Sequence, residues 1–483
     1  MWHNLDLKAL KKSAKSRLIT FFGCFVIGAS VKTHLKHKSK LRKAKRKQKR
    51  LRKRRERVQV NLQRVSNFNS ELLSVLSELT LKKLRHLLCT KQVTVQDLVV
   101  TYFHKLKTSA CDLVSEVNLE ESLSEAQNLQ KELDTLTPRS SLHGVPVIID
   151  KRLSKVPSFI SLLKAKGSVV IAESTRRSRS SVTGPIPSCV LLVQLNCAFA
   201  TVSLEHFGEV KQAAGICGVA SCCSSRVFDF QEILGIHSQC ALVCSRVKDL
   251  NKVIRTLCED SCVVWNLQPK ALRVGFVQEH PGHPVPFRFQ KVMHQGIAKL
   301  TNLDYQVIGI NFEFLESMTL NALAIILSSN LIKKQKGLLE KLVPKPVKKL
   351  ASWVKEKTCK DLESLQPGSL TKLSTKYYSK HLKSLKNYRQ RIINIWKEQG
   401  LEALIVPFSF SSILEANETL TAQQVIYFSI ASVLGFPSVC LDFTEKMPAE
   451  NYNYSTELHS GVQLITLPFN EENLLRILKE LVK

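Results

Sequence analysis

Apolar residues recur at three- and four-residue spacing between Ser70 and Leu84, through Leu72, Leu73, Leu76, Leu79, Leu81 and Leu84. That period predicts an amphipathic helix with one face turned to a core. Thr94-Val95-Gln96-Asp97 opens a second helix through Leu98, Val99, Tyr102, Phe103 and Leu106. A threonine three residues ahead of a carboxylate can satisfy the first free backbone N–H groups of such a helix. A third, acidic helix is expected from about Leu119 to Leu136, ending in the loop Pro138-Arg139-Ser140-Ser141. The pattern then changes. Gly144-Val145-Pro146-Val147-Ile148-Ile149-Asp150-Lys151 is an apolar run that opens on Gly-Val-Pro and closes on adjacent charges. A buried strand that delivers ionisable groups to a site looks like this, and so does an ordinary strand leaving a core.

At 483 residues, 44% hydrophobic and 23% charged, the chain is globular and exceeds the usual size of one core. One large α/β domain with accessory elements, or two domains, is expected. The net charge of +31 is concentrated: Lys32 to Arg57 holds sixteen Lys or Arg against the single acid Glu56. Ahead of it, Leu18 to Val31 is a run of 14 uncharged, mostly apolar residues, shorter than the ~20 that span a bilayer comfortably. A secretory signal core has the same length, but dense positive charge beside a span holds that side in the cytoplasm. The expectation is a short N-terminal anchor, residues 1–31, with a cytosolic body on an intracellular, endoplasmic-reticulum-like membrane. The basic arm, residues 32–64, carries almost no apolar stripe and suits anionic headgroups. Nucleic-acid binding is the rival reading of such a run, and the arm lacks interleaved aromatic residues. The fourteen cysteines show no repeated Cys-x-x-Cys and no zinc-like histidine spacing, so they read as reduced thiols, and no metal is expected.

Further short segments carry a resemblance. Leu142-His143-Gly144-Val145-Pro146-Val147 is joined by Lys164-Ala165-Lys166-Gly167-Ser168-Val169-Val170, Gly215-Ile216-Cys217-Gly218 and Ala271-Leu272-Arg273-Val274-Gly275-Phe276. Gly400 to Pro407, Gly435-Phe436-Pro437-Ser438, Gly461-Val462-Gln463-Leu464 and Pro468 to Leu475 follow in order. With the anchor and the arm, this resembles the fatty acid amide hydrolases of the amidase signature family over nearly the whole chain. The resemblance implies an α/β amidase signature fold, a twisted mixed β-sheet wrapped by helices, spanning residues 65–483. It also implies hydrolysis of fatty acid amides by a serine nucleophile, a relay serine and a lysine base, without a cofactor, the nucleophile sitting in a glycine-rich turn that forms an oxyanion hole.

The chain departs from that template at each catalytic position. Asp150 stands where the resemblance places the lysine base, and lysine is displaced to Lys151; one residue along a strand reverses the face a side chain points to. The glycine- and serine-rich segment expected to carry the relay serine is replaced by Arg179-Ser180-Ser181-Val182-Thr183-Gly184. Counting back from Gly215, the nucleophile position falls near His206, with neither glycine present and Ser203 the nearest serine. If activity persists, Lys151, Ser181 and Ser203 are its candidates. Ser203, Glu205 and His206 are a hydrolase set by type only, because neighbours on a strand face opposite ways.

A lipid-facing cap is expected near residues 337–357, where Leu338, Leu339, Leu342, Leu350 and Trp353 alternate with lysines in the manner of interfacial helices; a helical hairpin packed on the body is the alternative. The expectation is thus a membrane-associated amidase-type fold with catalysis lost or impaired, binding a fatty acid amide, a membrane lipid or a protein partner. A homodimer is a further expectation. The alternative is a working serine amidase or esterase with displaced residues.

Overall fold

In the computed structural model the described residues are 52–53, 55–65, 68–175, 187–205, 208–225, 239–258, 273–277, 287–328, 375–409, 427, 430–442 and 460–481. The anchor (18–31), most of the basic arm, Ser181, His206 and the whole cap, including Leu338, Leu339, Leu342, Leu350 and Trp353, lie outside them. No helix among the described residues is long and apolar enough to cross a membrane. The chain divides into a first unit, Met1–Arg57, and a second, Val58–Lys483. Val58, Leu62 and Val65 are buried in the core of the second.

Among the described residues, that second unit is built on one mixed sheet of eleven strands. In chain order they are β1 (Val114–Val117), β2 (Pro146–Asp150), β3 (Val169–Ser174), β4 (Ala200–Glu205), β5 (Ala220–Ser224), β6 (Gln239–Cys244), β7 (Arg273–Val277), β8 (Gln306–Ile310), β9 (Ala403–Ser409), β10 (Ser438–Asp442) and β11 (Ser460–Ile465). Across the sheet the order is β1-β3-β2-β4-β6-β5-β10-β11-β9-β7-β8. β3, β2 and β4 are mutually parallel, as are β9, β7 and β8, and the strands between pair antiparallel. Parallel strands are covered on both faces, and all five residues of β2 are buried.

Alternation along the strands sorts the cores. Leu242, Cys222, Val439 and Leu464 turn to one face and join the main cluster. Ala241, Val243 and Cys223 turn to the other, under helices Ser188–Gln194 and Glu209–Ile216. Farther along that second face, Leu404, Val406 and Ile465 pack against Leu315–Ser328 and Thr375–Glu398.

The helix expected at 94 to 106 is present as Val95–Ser109, and Thr94 and Asp97 form the reciprocal cap. The long amphipathic helix expected from Ser70 is interrupted. It runs Ser70–Val75, tightens to a 3₁₀ turn, and restarts as Leu81–Cys89 after an extended Leu79. Thr80 breaks it: its hydroxyl accepts the Lys83 N–H, and the buried Asp249 carboxylate accepts that of Leu81, so a new N-terminus is capped twice.

The approach to β2 is set by His143 and two glycines. Gly144 and Gly167 both have positive φ, and a Cβ on Gly167 would meet His143 Nδ1 at 2.9 Å. The buried His143 ring accepts the Arg139 N–H at Nδ1 (3.1 Å) and lies 2.9 Å from the Leu129 carbonyl at Nε2. That pairing requires the neutral tautomer with its proton on Nε2. Burial holds the ring below its ordinary value of 6.5, against the opposing pull of the Leu129 carbonyl. The unfolded chain therefore takes up the proton first as pH falls. This contribution to stability is present above about pH 6.5 and is lost below it. Thermal melts between pH 7.5 and 5 will show a steeper loss in wild type than in His143→Asn; equal slopes would refute the assignment.

Candidate active site

Because β3, β2 and β4 are parallel, their C-terminal ends share one edge of the sheet, where ligand sites form in α/β proteins. β2 ends there on Asp150, 4% exposed, and β4 ends on the fully buried Glu205. After β2 the chain turns back on itself. Asp150 Oδ1 accepts the backbone N–H of Arg152 at 2.7 Å, an Asx turn. The guanidinium then folds over the same carboxylate: Nε donates to Oδ1 and Nη2 to Oδ2, each at 2.9 Å. Nη2 also donates to the Leu204 carbonyl on β4 at 2.9 Å. Ser203 Oγ donates to Asp150 Oδ2 at 3.2 Å.

Burial alone would raise the Asp150 carboxyl, but the Arg152 hydrogen bonds and charge outweigh it and hold the group below the usual carboxylate range. An ionised carboxylate already accepting four hydrogen bonds is a poor base toward an alcohol. Ser203 is itself 2% exposed.

Lys151 leaves the strand on the opposite side. Its Nζ is 3.1 Å from Glu173 Oε2 and 3.8 Å from Glu116 Oε2, on the β3–β1 side, with the side chain more than one third exposed. Of the candidate residues, the structure brings Asp150 and Ser203 together and leaves Lys151 apart from them.

Two charged groups have roles that the sequence did not announce. Helix Glu209–Ile216 starts from Gly208, whose φ of 100° suits only glycine readily. Its free N–H groups are the kind of donors that bind anions and oxyanions. Here the chain fills them itself: Glu205 Oε2 accepts from Val210 N at 2.9 Å and from Lys211 N at 3.3 Å. Burial, then the neighbouring Glu209, pushes the Glu205 carboxyl up to about 8.

Lys211 is fully buried, and its Nζ donates to Ser438 Oγ at 2.7 Å and Ser432 Oγ at 3.2 Å. A lysine with two serines repeats the residue types of a Ser-Ser-Lys hydrolase, yet all three are inaccessible and an ammonium donating to hydroxyls is not a base. The thiols nearby are inert for the same reason; burial pushes Cys189, beside Ser203, up to about 12. Among the described residues no group of three His, Cys, Asp or Glu could hold a metal ion.

The sheet and the edge at which this cluster sits define a mixed α/β fold with a polar strand-end site. The amidase family model matches residues 255–475, somewhat less than half of the chain, and that range excludes β2 to β6. Solved structures extend the likeness to the whole body. A fatty acid amide hydrolase superposes with a TM-score of 0.61 at 11% identity, covering 86% of this chain and 87% of that one. A peptide amidase in complex with the inhibitor chymostatin gives 0.59 at 14%, covering 84% and 97%. The native peptide amidase from Stenotrophomonas maltophilia gives 0.56 at 15%, covering 84% and 96%. Comparison with curated proteins finds no match. The chain thus carries an amidase match in its C-terminal half and the amidase fold over most of its length.

Removing Arg152 would strand a buried carboxylate, which costs about 3–5 kcal/mol for a fully buried pair and somewhat less here, where the arginine is partly exposed. Arg152→Ala should therefore lower the urea midpoint sharply, and the double variant Asp150→Ala/Arg152→Ala should recover part of the loss. If the double variant is no more stable than Arg152→Ala, the pair does not act as a unit.

Proposed function

We propose that this chain is an amidase signature protein, similar to fatty acid amide hydrolases, in which hydrolysis has been lost and binding of a lipid amide or a partner at an anionic membrane remains. One observation carries the loss of chemistry. The position that the resemblance assigns to the lysine base holds a carboxylate already neutralised by Arg152, so no group there is free to take a proton from Ser203. The self-capped helix supports the same reading, since Glu205 occupies the N–H groups an oxyanion would need. The membrane part rests on the uncharged run Leu18–Val31, the +15 arm that follows it, and the composition around Leu338 and Trp353.

Retained hydrolysis is favoured by a single feature, the hydroxyl–carboxylate contact of Ser203 and Asp150. The depressed basicity of Asp150 and the burial of Ser203 both oppose it.

Incubation of the full chain with a fluorophosphonate serine probe should give no covalent adduct. An adduct that disappears in Ser203→Ala or Ser181→Ala would overturn the loss of catalysis. Asp150→Lys alone should stay unlabelled, because it restores a base and neither the glycine turn nor the helix N-terminus.

A further inference from the structure

The face of the sheet away from Glu205 and Lys211 carries a second feature. Three helices lie on it over β6, β5, β10, β11 and β9, namely Val247–Cys258, Glu471–Leu481 and Phe287–Thr301, and a fourth, Leu81–Cys89, adjoins the first of them. They are joined edge to edge. The Leu81 N–H meets Asp249, Asn251 Nδ2 donates to the Leu475 carbonyl, and Lys299 Nζ reaches the Leu481 carbonyl.

Their inner sides supply the core, and their outer sides are of one sign. Leu81–Cys89 exposes Lys82, Lys83 and Arg85. At a spacing of three and four residues, Val247–Cys258 exposes Lys248, Lys252 and Arg255. Lys291 and Lys479 add one each from the other two. Against these eight exposed cations the four helices expose no Asp or Glu among the described residues. Asp249, Glu471 and Glu472 are buried, and the half-buried Glu480 is bonded to the Tyr305 hydroxyl. Exposed acids lie on the flanking segments, among them Glu71, Glu78, Asp304 and Asp134, the last ion-paired to Lys91 just beyond Leu81–Cys89.

We infer that this helical layer is a docking surface for an anionic lipid bilayer. The argument is charge complementarity over a broad layer. The cations are distributed over four neighbouring helices and are not gathered along one groove, as headgroups arrayed in a plane require and a single strand of nucleic acid does not. The inference deepens the membrane part of the proposed function by assigning the folded body its own membrane contact, separate from the arm and the apolar run.

The test is residue-resolved amine labelling of the full chain, read by mass spectrometry. It is run free, with phosphatidylcholine vesicles, with vesicles containing phosphatidylserine, and with polyuridine RNA. Lys383 and Lys397, exposed on the helix Thr375–Glu398 of the opposite face, serve as internal references. Phosphatidylserine vesicles should protect Lys82, Lys248, Lys252 and Lys479 several-fold more than the references, and raised salt should remove the protection. In the exposed-residue variant Lys248→Glu/Lys252→Glu/Arg255→Glu, protection of Lys82 and Lys479 should fall. Vesicle binding with these lysines as reactive as the references would overturn the docking surface and leave the membrane reading standing. Absence of vesicle binding would sink both. Protection by RNA without protection by vesicles would transfer the face to a nucleic-acid partner.

Discussion

A carboxylate held at the centre of three parallel strands is the constraint around which the N-terminal half of the sheet is arranged. Asp150 has 4% of its surface exposed, and a buried charge without a partner is too costly to persist. Arg152 answers that cost by folding back over the strand end, and in doing so it fixes the turn after β2 and ties β2 to β4 through the Leu204 carbonyl. Such a pair adds little net stability over a hydrophobic replacement, because desolvation of both charges offsets their attraction. What it does impose is geometry: both oxygens of Asp150 are engaged by hydrogen bonds at the strand end.

Glu205 repeats the pattern one strand over. A catalytic edge in an α/β fold needs free polar groups, a base and an array of N–H donors, waiting for substrate. Here each is satisfied from within, the acid by Arg152 and the helix N-terminus by Glu205. The amidase match begins at residue 255, beyond every one of these residues. The strands that it covers, β7 to β11, build the other half of the sheet.

Local signals were legible in the sequence, and long-range pairings were not. The Thr94–Asp97 cap and the buried strand after Gly144 follow from spacing within a few residues. The interruption at Thr80 was missed because its second cap, Asp249, comes from a helix 169 positions on and enters only through packing. Arg152 was in view, two residues beyond Asp150 and hence on the same side, but its role depends on β4 lying next to β2. The partners of Lys211, Ser432 and Ser438, reach it only through the adjacency of β5 and β10. Nothing in Gly208-Glu209-Val210-Lys211 marks that lysine as buried.

The two faces of the sheet separate these features physically. Ser203 and Glu205 pair with Ala241 and Gln239 on the side that packs against Glu209–Ile216, whereas Leu242 and Cys222 on the alternate side support Val247–Cys258. Between the altered site and the cationic layer stand the sheet and a layer of helices, each on the order of 10 Å thick. Exposed charges at that separation are screened, since the Debye length near physiological salt is about 8 Å. A lipid surface at the cationic layer would therefore not set the protonation of Glu205, nor would the closed site weaken docking. Electrostatic attraction of a basic face requires neither a cavity nor a nucleophile, so the docking proposed for the cationic layer does not depend on the chemistry at Asp150.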